Sequence, residues 1–591
     1  MLKTTHGHHY PPFSKLIIKS SSSLFPTFIN KPIEKLLKTT HQTLGIKKLL
    51  KTTHQTLDNG GRPHVDSIFD TLDSLIRRYL DPSLLPSSIE PHRVLSDTMF
   101  SSCDELPPTS CLAVEGFVPP CLDGIYIRNG PNPRFPPRGP YHLLDGDGML
   151  HTIRISRGRA TFCSRYVRTH KFETEHAAGR PVIPNFFAFS GAPVLATAAR
   201  LVVAAAWSAL TGRFDPIKNG FGVANTSVAL LGGRLLAMCE SDLPYEVKVA
   251  EDGDVVTLGR YDFSHDTDGE QFPRMTAHPK IDPETGDAFA YTYDVVRPYL
   301  TFYRIERGLI KGKGVPVRLM SECTIVHDFG LTEAHVVFSD GQMVVNPIWM
   351  LKGRPPVGVV TEKVPRLGII EKRATDDRDM VWVDAPGFNM VHCVNAWDED
   401  DGDTIILVAS NLTSVEHFIG EIEHTKPMLE KVTIDVKGKR LRSRKLLTAQ
   451  FFLDLAVVNS AYVSKKSKYV YATVLGGKSY EGVVKLDVSL MDDEINEGSC
   501  EDCIVASRLY GPGCYGGEPF FVAREPDNPA ADEDDGYLVT YVHDENVQES
   551  KFVVMDAKSP TLDIVAAVKL PHRVPAGLHG VFVPESELKK L

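Results

Sequence analysis

The 591-residue chain has no Gly-x-Ser-x-Gly, which removes the nucleophile elbow of an α/β-hydrolase. It has no phosphate-cradling loop either. Gly220-Phe221-Gly222 stands outside the strand–turn–helix setting that a dinucleotide fingerprint needs. Asp145 and Asp147 do not follow a calcium-loop spacing. The ten cysteines are scattered. The one Cys-x-x-Cys, Cys500 to Cys503, lies in the acidic stretch EGSCEDC with no second pair to complete a zinc or redox site. Among His278, His327, His392 and His579 no two show the close spacing of a zinc site on one helix or in a finger. A continuous apolar core for a secretory signal is missing, as is a fixed-period repeat of the WD kind. Positive charge is also scarce in the body. Residues 1–65 carry ten Lys/Arg against Glu34 and Asp58, which leaves 55 basic against 73 acidic residues elsewhere. An acidic body argues against nucleic acid as a partner.

The basic first segment has a character of its own. It includes the run Ser20–Ser23, and KLLKTTHQTL occurs twice, at 35–44 and 48–57, with LKTTH at 2–6. Such Lys/Leu/Thr text has no core to bury. Residues 1–65 are read as an organelle transit peptide, although Lys replaces the expected Arg; a disordered basic tail is the alternative. Next, Ile68, Phe69, Leu72, Leu75, Ile76, Tyr79 and Leu80 recur at helical spacing, which predicts an amphipathic helix within residues 66–90. Arg77 and Arg78 at its end suit the helix dipole. That face either packs on the domain or lies in a membrane interface. PVLATAARLVVAAAWSAL (193–210) is long enough to be weighed as a membrane span. Arg200 near its middle would cost roughly 2.5–3.5 kcal/mol in hydrocarbon. The expectation is therefore an amphipathic helix that dips into a membrane or hydrophobic assembly.

From Gly124 onward the text reads as short strands divided by turn signals. Arg234–Met238, Ala288–Tyr293, Thr404–Ala409, Tyr469–Val474 and Tyr537–Val542 are examples, with Asp252-Gly253-Asp254, Asp340-Gly341 and Asp535-Gly536 among the breakers. Many short strands at this spacing indicate an all-β sandwich, barrel or propeller. Four histidines, His278, His327, His392 and His579, each stand beside such a strand, in RMTAHPK, CTIVHDF, FNMVHCVNAW and AGLHGVFV. Each alone reads as a structural or surface histidine. An all-imidazole set suits a redox-active first-row metal. If the four meet, distant strands must converge on one axis, which favours a propeller.

Longer phrases carry a resemblance. GIYIRNGPNPRFPPRGPYHLLDGDGML (124–150), ESDLPYEV, MTAHPK, NAWDEDDGD, CYGGEPFFVARE, DDGYLVTYVHDE and ESKFVVMDAKSP are similar to the carotenoid cleavage dioxygenases. The similarity is greatest to the plastid type-4 branch of plants, and it covers roughly residues 90–591. The resemblance implies a seven-bladed β-propeller at 91–591 with a helical cap and N-terminal membrane-associating helices. It also implies Fe(II) on the axis held by His278, His327, His392 and His579. Three acids would orient those ligands: Glu240 in AMCESDLPY, Asp454 in FFLDLAVVN and Glu518 in YGGEPFF. Asp454 stands where the wider family has glutamate, so either the backbone comes closer or the hydrogen bond lengthens.

The implied reaction uses O2 to split a conjugated double bond of a carotenoid or apocarotenoid into aldehyde or ketone fragments, with the 9,10 or 9′,10′ bond and β-ionone-type products as one version. The implied setting is a chloroplast, at a plastoglobule or thylakoid surface. The alternatives are an isomerase or isomerohydrolase on the same iron centre, and a non-catalytic carotenoid-binding propeller. Ala576 and Leu578 replace a more aromatic approach to the last histidine, and VLGGKSYEGV (474–483) replaces a proline-containing turn.

Overall fold

The computed structural model describes residues 65–591 apart from 97–98, 264–271, 273, 307, 311–312, 477–478 and 492–501. The basic segment with its duplication, and Cys500 of the Cys-x-x-Cys, lie outside the described residues.

Seven antiparallel sheets form the blades of a propeller. From the axis outward, blade 2 is Ser227–Leu231, Arg234–Met238, Tyr245–Val249 and Val255–Arg260. Blade 3 begins at Lys280–Ile281, blade 4 at Phe329–Leu331, blade 5 at Met390–Glu399 and blade 6 at Phe452–Val457. Blade 4 also carries a two-stranded insertion, Met343–Val345 with Val357–Val359.

Blades 1 and 7 close the ring with both ends of the chain. In blade 1 the innermost strand is Gly580–Pro584, paired to Gly124–Asn132 and followed outward by Asp147–Ser156, Arg159–Tyr166 and Leu106–Ser110. In blade 7 the strands Gly536–Asp544, Glu549–Asp556 and Ile564–Lys569 are finished on the outside by Val114–Gly116. Phe520–Ala523 lies on the inner side. The early strand Val114–Gly116 thus completes blade 7, and the late strand Gly580–Pro584 completes blade 1.

Alternation places one face of each blade against its neighbour. Tyr126 and Phe162 of blade 1 pack with Tyr541 and Phe552 of blade 7; Phe289 and Phe302 of blade 3 pack with Phe329 and Phe338 of blade 4. Trp397 and Val408 of blade 5 pack with Leu453 and Val470 of blade 6.

Helices gather in the connection from blade 1 to blade 2, together with the N-terminal helix, and form the expected cap. Helix α1 is Val65–Tyr79, α2 is His170–Ala178 and α3 is Val194–Thr211, the last ended by Gly212 in a left-handed conformation at φ 64°. A buried network ties α2 to blade 1. Lys171 Nζ lies 3.0 Å from Asp147 Oδ1 and 2.8 Å from Glu175 Oε2. Asp145 accepts the backbone N–H groups of Phe187 and Ala188, each at 3.0 Å. The Asp-Gly-Asp-Gly text of the long motif is therefore the anchor of the cap.

The two apolar segments pack on each other. Phe69 and Ile76 of α1 are buried. Arg200 of α3 turns inward, with Nη1 2.9 Å from Asp81 Oδ1 and its other amine on Oδ2. The arginine that argued against a membrane span is thus paired within the protein. Leu195, Leu201 and Leu210 point outward, 56%, 40% and 47% exposed, which is the reverse of a helix built to face water.

Candidate metal centre

Four blades bring a histidine to the axis at the same level. His278 precedes the innermost strand of blade 3 by two residues, His327 that of blade 4 by two, and His579 that of blade 1 directly. His392 is the third residue of the inner strand of blade 5, where the pairing register shifts on either side of Cys393. Such an irregularity re-aims a side chain without breaking the sheet.

The ring nitrogens converge. His278 Nε2 and His327 Nε2 are 3.1 Å apart, and His327 Nε2 and His392 Nε2 are 3.2 Å apart. One nitrogen from each of the four lies within 4.8 Å of the others. Two neutral imidazoles with lone pairs face to face repel, and protonating all four would concentrate charge. A cation shared by the four resolves both problems, so the donor set fits a metal ion with nitrogen ligands.

The far nitrogens explain the orientation. His327 Nδ1 lies 2.6 Å from Glu240 Oε1, His392 Nδ1 2.7 Å from Asp454 Oδ1, and His579 Nδ1 2.8 Å from Glu518 Oε1. Glu518 also accepts the N–H of Gly580 at 3.0 Å, which ties it to the strand it serves. The Glu240 contact is the shortest but the least linear of the three. Asp454 and Glu518 accept from Nδ1 and Glu240 faces it, which leaves Nε2 of each ring free to face the axis. Among the described residues no acid pairs with His278, whose backbone N–H is held by Thr276 Oγ1 at 3.0 Å.

The electrostatics follow the same division. Burial, reinforced by the three other imidazoles, pushes His278 well below the ordinary histidine range. Burial also acts to lower His327, but the Glu240 charge outweighs it and the net direction is up. Burial works to raise Glu240 and Asp454; their imidazole partners reverse that and hold both carboxyls below the usual range. Glu240 and Asp454 thus place ionised carboxylates behind the histidine rings they face.

Asp454 settles the question posed by its missing methylene. Its contact with His392, at 2.7 Å, is no longer than those of the two glutamates. The backbone at this position is irregular. Leu455 adopts φ +47°, and the register slips between Asp454 and Val457. A left-handed leucine costs on the order of 1 kcal/mol, a strain maintained by the surrounding sheet.

One group at the site was not read from the sequence. Asp328, next to His327, accepts Lys280 Nζ at 2.8 Å on Oδ1 and 3.0 Å on Oδ2, the Cys393 N–H at 2.8 Å and its neighbour Phe329 N–H at 2.7 Å. Lys280 also donates to the Cys393 carbonyl at 3.0 Å. One carboxylate thus staples the strands that bear His278, His327 and His392. The signal was present as HPK, HDF and HCV: a lysine and an aspartate beside histidines, in segments otherwise apolar. Burial pushes the Cys393 thiol up to about 12, so it stays protonated beside the histidines.

A cavity opens onto the site from this side. It is bounded by Lys280, Asp328, Leu455, Val458, Phe520 and Phe521, together with three of the histidines. Ala576 and Leu578 are not on its wall; Ala576 is buried against Met99 and Tyr515.

The family model for retinal pigment epithelial membrane protein matches residues 99–584. The chain belongs to the carotenoid oxygenase family. A chloroplastic protein of Arabidopsis thaliana, named a probable carotenoid cleavage dioxygenase 4, is 50% identical over 530 residues, covering 89% of this chain and 86% of the relative. A chloroplastic 9-cis-epoxycarotenoid dioxygenase of Oryza sativa subsp. japonica is 45% identical over 529 residues, 88% of this chain and 80% of the relative. Among solved structures, a cobalt-substituted apocarotenoid oxygenase of Synechocystis superposes with a TM-score of 0.65 at 22% identity, covering 84% of this chain and 99% of that one. At that identity the likeness carries the seven-bladed fold. Within the family, then, the four histidines of this chain come from blades 3, 4, 5 and 1, and the three acids from blades 2, 6 and 7. Every blade contributes one group.

Proposed function

We propose that this protein is an Fe(II)-dependent dioxygenase that cleaves a conjugated double bond of a carotenoid or apocarotenoid to two carbonyl fragments. The observation that supports it most is the all-histidine convergence with three acid-held Nδ1 protons, in a chain half identical to a chloroplastic carotenoid cleavage dioxygenase. His278, His327, His392 and His579 would hold the metal, and Glu240, Asp454 and Glu518 would fix the ring orientation of three of them. When bound, Fe(II) supplies the redox chemistry that lets dioxygen react with a polyene.

The residues of the chain do the rest. Four neutral imidazoles add no charge to the ion, unlike a set that includes a carboxylate. The Nδ1 protons stay on the imidazoles, facing their carboxylates, so no side chain has to give or take a proton. The overall change needs none: one C=C and one O2 become two C=O groups. Phe520, Phe521, Leu455 and Val458 line an apolar wall that keeps bulk water from the reacting carbons. The bond that is cut is the one the walls hold nearest the histidines. The 9,10 or 9′,10′ bond, with β-ionone-type products, is the version to test first.

The substrate is insoluble in water, and the outward leucines of α3 are the docking surface for a membrane or plastoglobule. Residues 1–65 are assigned as a plastid transit peptide, 66–90 as the amphipathic helix and 91–591 as the propeller. The relatives carry chloroplastic names, which supports a plastid setting. The test is product analysis by mass spectrometry on protein lacking the first 65 residues, given Fe(II) and β-carotene or apocarotenals, with and without O2. Oxygen-dependent aldehyde or ketone fragments are expected. Isomerised substrate formed without oxygen uptake would replace cleavage with isomerisation.

A further inference from the structure

A second group of donor side chains stands apart from the axis, in the loop that joins the strands Thr404–Leu412 and Pro427–Asp435 of blade 5. His417 Nδ1 lies 2.8 Å from Glu421 Oε2, and His424 Nδ1 lies 3.4 Å from the same oxygen. One donor atom from each of the three falls within 4.8 Å of the others. The two rings meet edge to face, with centroids 5.6 Å apart, so neither blocks the other's nitrogens. Glu416 Oε1 stands 3.8 Å from the far nitrogen of His417. His417, Glu421 and His424 are 36%, 54% and 62% exposed, so an ion and its remaining waters can reach them.

From this arrangement we infer that His417, Glu421 and His424 form a second, surface site for a divalent transition-metal ion of the zinc class. Two imidazoles and one carboxylate match the borderline donors such ions take. In a tetrahedral site with bonds of about 2.0–2.2 Å, neighbouring donors lie roughly 3.3–3.5 Å apart. The 3.4 Å separation already matches, and the 2.8 Å one opens by a side-chain rotation of exposed groups. At present one carboxylate oxygen is shared by two imidazoles. A cation would take the place of the shared protons.

The loop gives the site a consequence. Its residue Glu423 accepts Ser88 Oγ at 3.2 Å and is also bonded by Ser87, while the Ile422 N–H donates to Ser88 Oγ at 2.7 Å. Val415 is buried with Leu412 and Met343, so the loop is rooted in blades 4 and 5. Ser87 and Ser88 lie just after α1. A metal that braces 417–424 therefore braces the clasp that holds the N-terminal segment to the propeller.

The test counts metal. The iron-loaded full chain is dialysed against micromolar Zn(II), and bound iron and zinc are measured for wild type, H417A/H424A, E421Q and H392A. Wild type is expected to hold about one zinc equivalent more than H417A/H424A, and E421Q to bind zinc at least tenfold more weakly. H392A, which strikes the axial histidines, is expected to lose iron and keep the zinc; the two assignments thus fail separately. Zinc should also slow proteolysis between residues 80 and 95 in wild type but not in H417A/H424A. Equal zinc content in wild type and the double variant would overturn the site. Extra zinc without protection would overturn its coupling to the N-terminal segment.

Discussion

Replacing Asp328 by asparagine keeps the shape of the staple at the metal centre and removes its charge. The carboxylate is almost wholly buried, its side chain 3% exposed, and Lys280 is 19% exposed. With asparagine in place, Nζ keeps the Cys393 carbonyl and one amide oxygen but loses its counter-ion. Stranding one partner of a buried pair costs about 3–5 kcal/mol. The residual exposure of Lys280 puts this case at the low end, about 3 kcal/mol. Removing the lysine charge as well, in D328N/K280M, should recover at least about 2 kcal/mol of that loss, because the penalty belongs to the stranded ammonium rather than to the missing pair.

Stability in urea reads this term. Metal affinity reads the other role, because Asp328 ties together three of the four histidine-bearing strands. Chelator competition with Co(II) should show D328N binding about 10–100-fold more weakly, the usual cost of losing support for a ligand set. A purely structural role would show the double variant regaining affinity along with stability. Positioning predicts that affinity stays low in D328N/K280M while stability returns. Wild-type urea midpoint and wild-type Co(II) affinity in D328N would refute the reasoning outright.

Other expectations follow from the same geometry. Asp454→Ala leaves His392 Nδ1 without its acceptor and should weaken iron binding about 10–100-fold, measured by chelator competition; an unchanged affinity would remove Asp454 from the site. His392→Ala should abolish product formation, and undiminished turnover would contradict its place among the ligands. Burial holds His142 neutral, at about 4 against an ordinary value near 6.5. A depressed histidine contributes stability that is present above pH 6.5 and lost as pH falls toward 4. The loss is about 2 kcal/mol by pH 5, and His142→Gln should flatten that part of the urea midpoint's pH profile. Changing Leu195, Leu201 and Leu210 together to serine should lower cosedimentation with lipid vesicles roughly 100-fold, at about 1 kcal/mol per half-buried leucine, with metal content unchanged.

The parts of this molecule that were legible in the text are those set by local chemistry. Strands such as Arg234–Met238 and Ala288–Tyr293 announce themselves by apolar content between Gly/Asp turns, and they fall on the residues expected. The amphipathic spacing of 68–80 likewise gave α1. Arg200 argued against 193–210 as a simple span, but its partner Asp81 lies far back in the chain and no pattern connects them. The same limit hid the staple. Lys280, Asp328 and Cys393 are remote in sequence, and only ring closure makes them neighbours. The Leu455 kink was equally invisible, since nothing in FFLDLAVVN marks a leucine for a left-handed conformation. The text named the groups, while their distances came from topology.

The strand that closes the ring enters the first blade, and His579 stands at its start, about three hundred residues after His278. During synthesis or passage through a membrane, the chain therefore displays three donors long before the fourth. A chain cut before that strand would present three of the four histidines and leave blade 1 without its inner strand. Completing the set of four imidazoles and closing the ring are therefore one event, carried out by one strand.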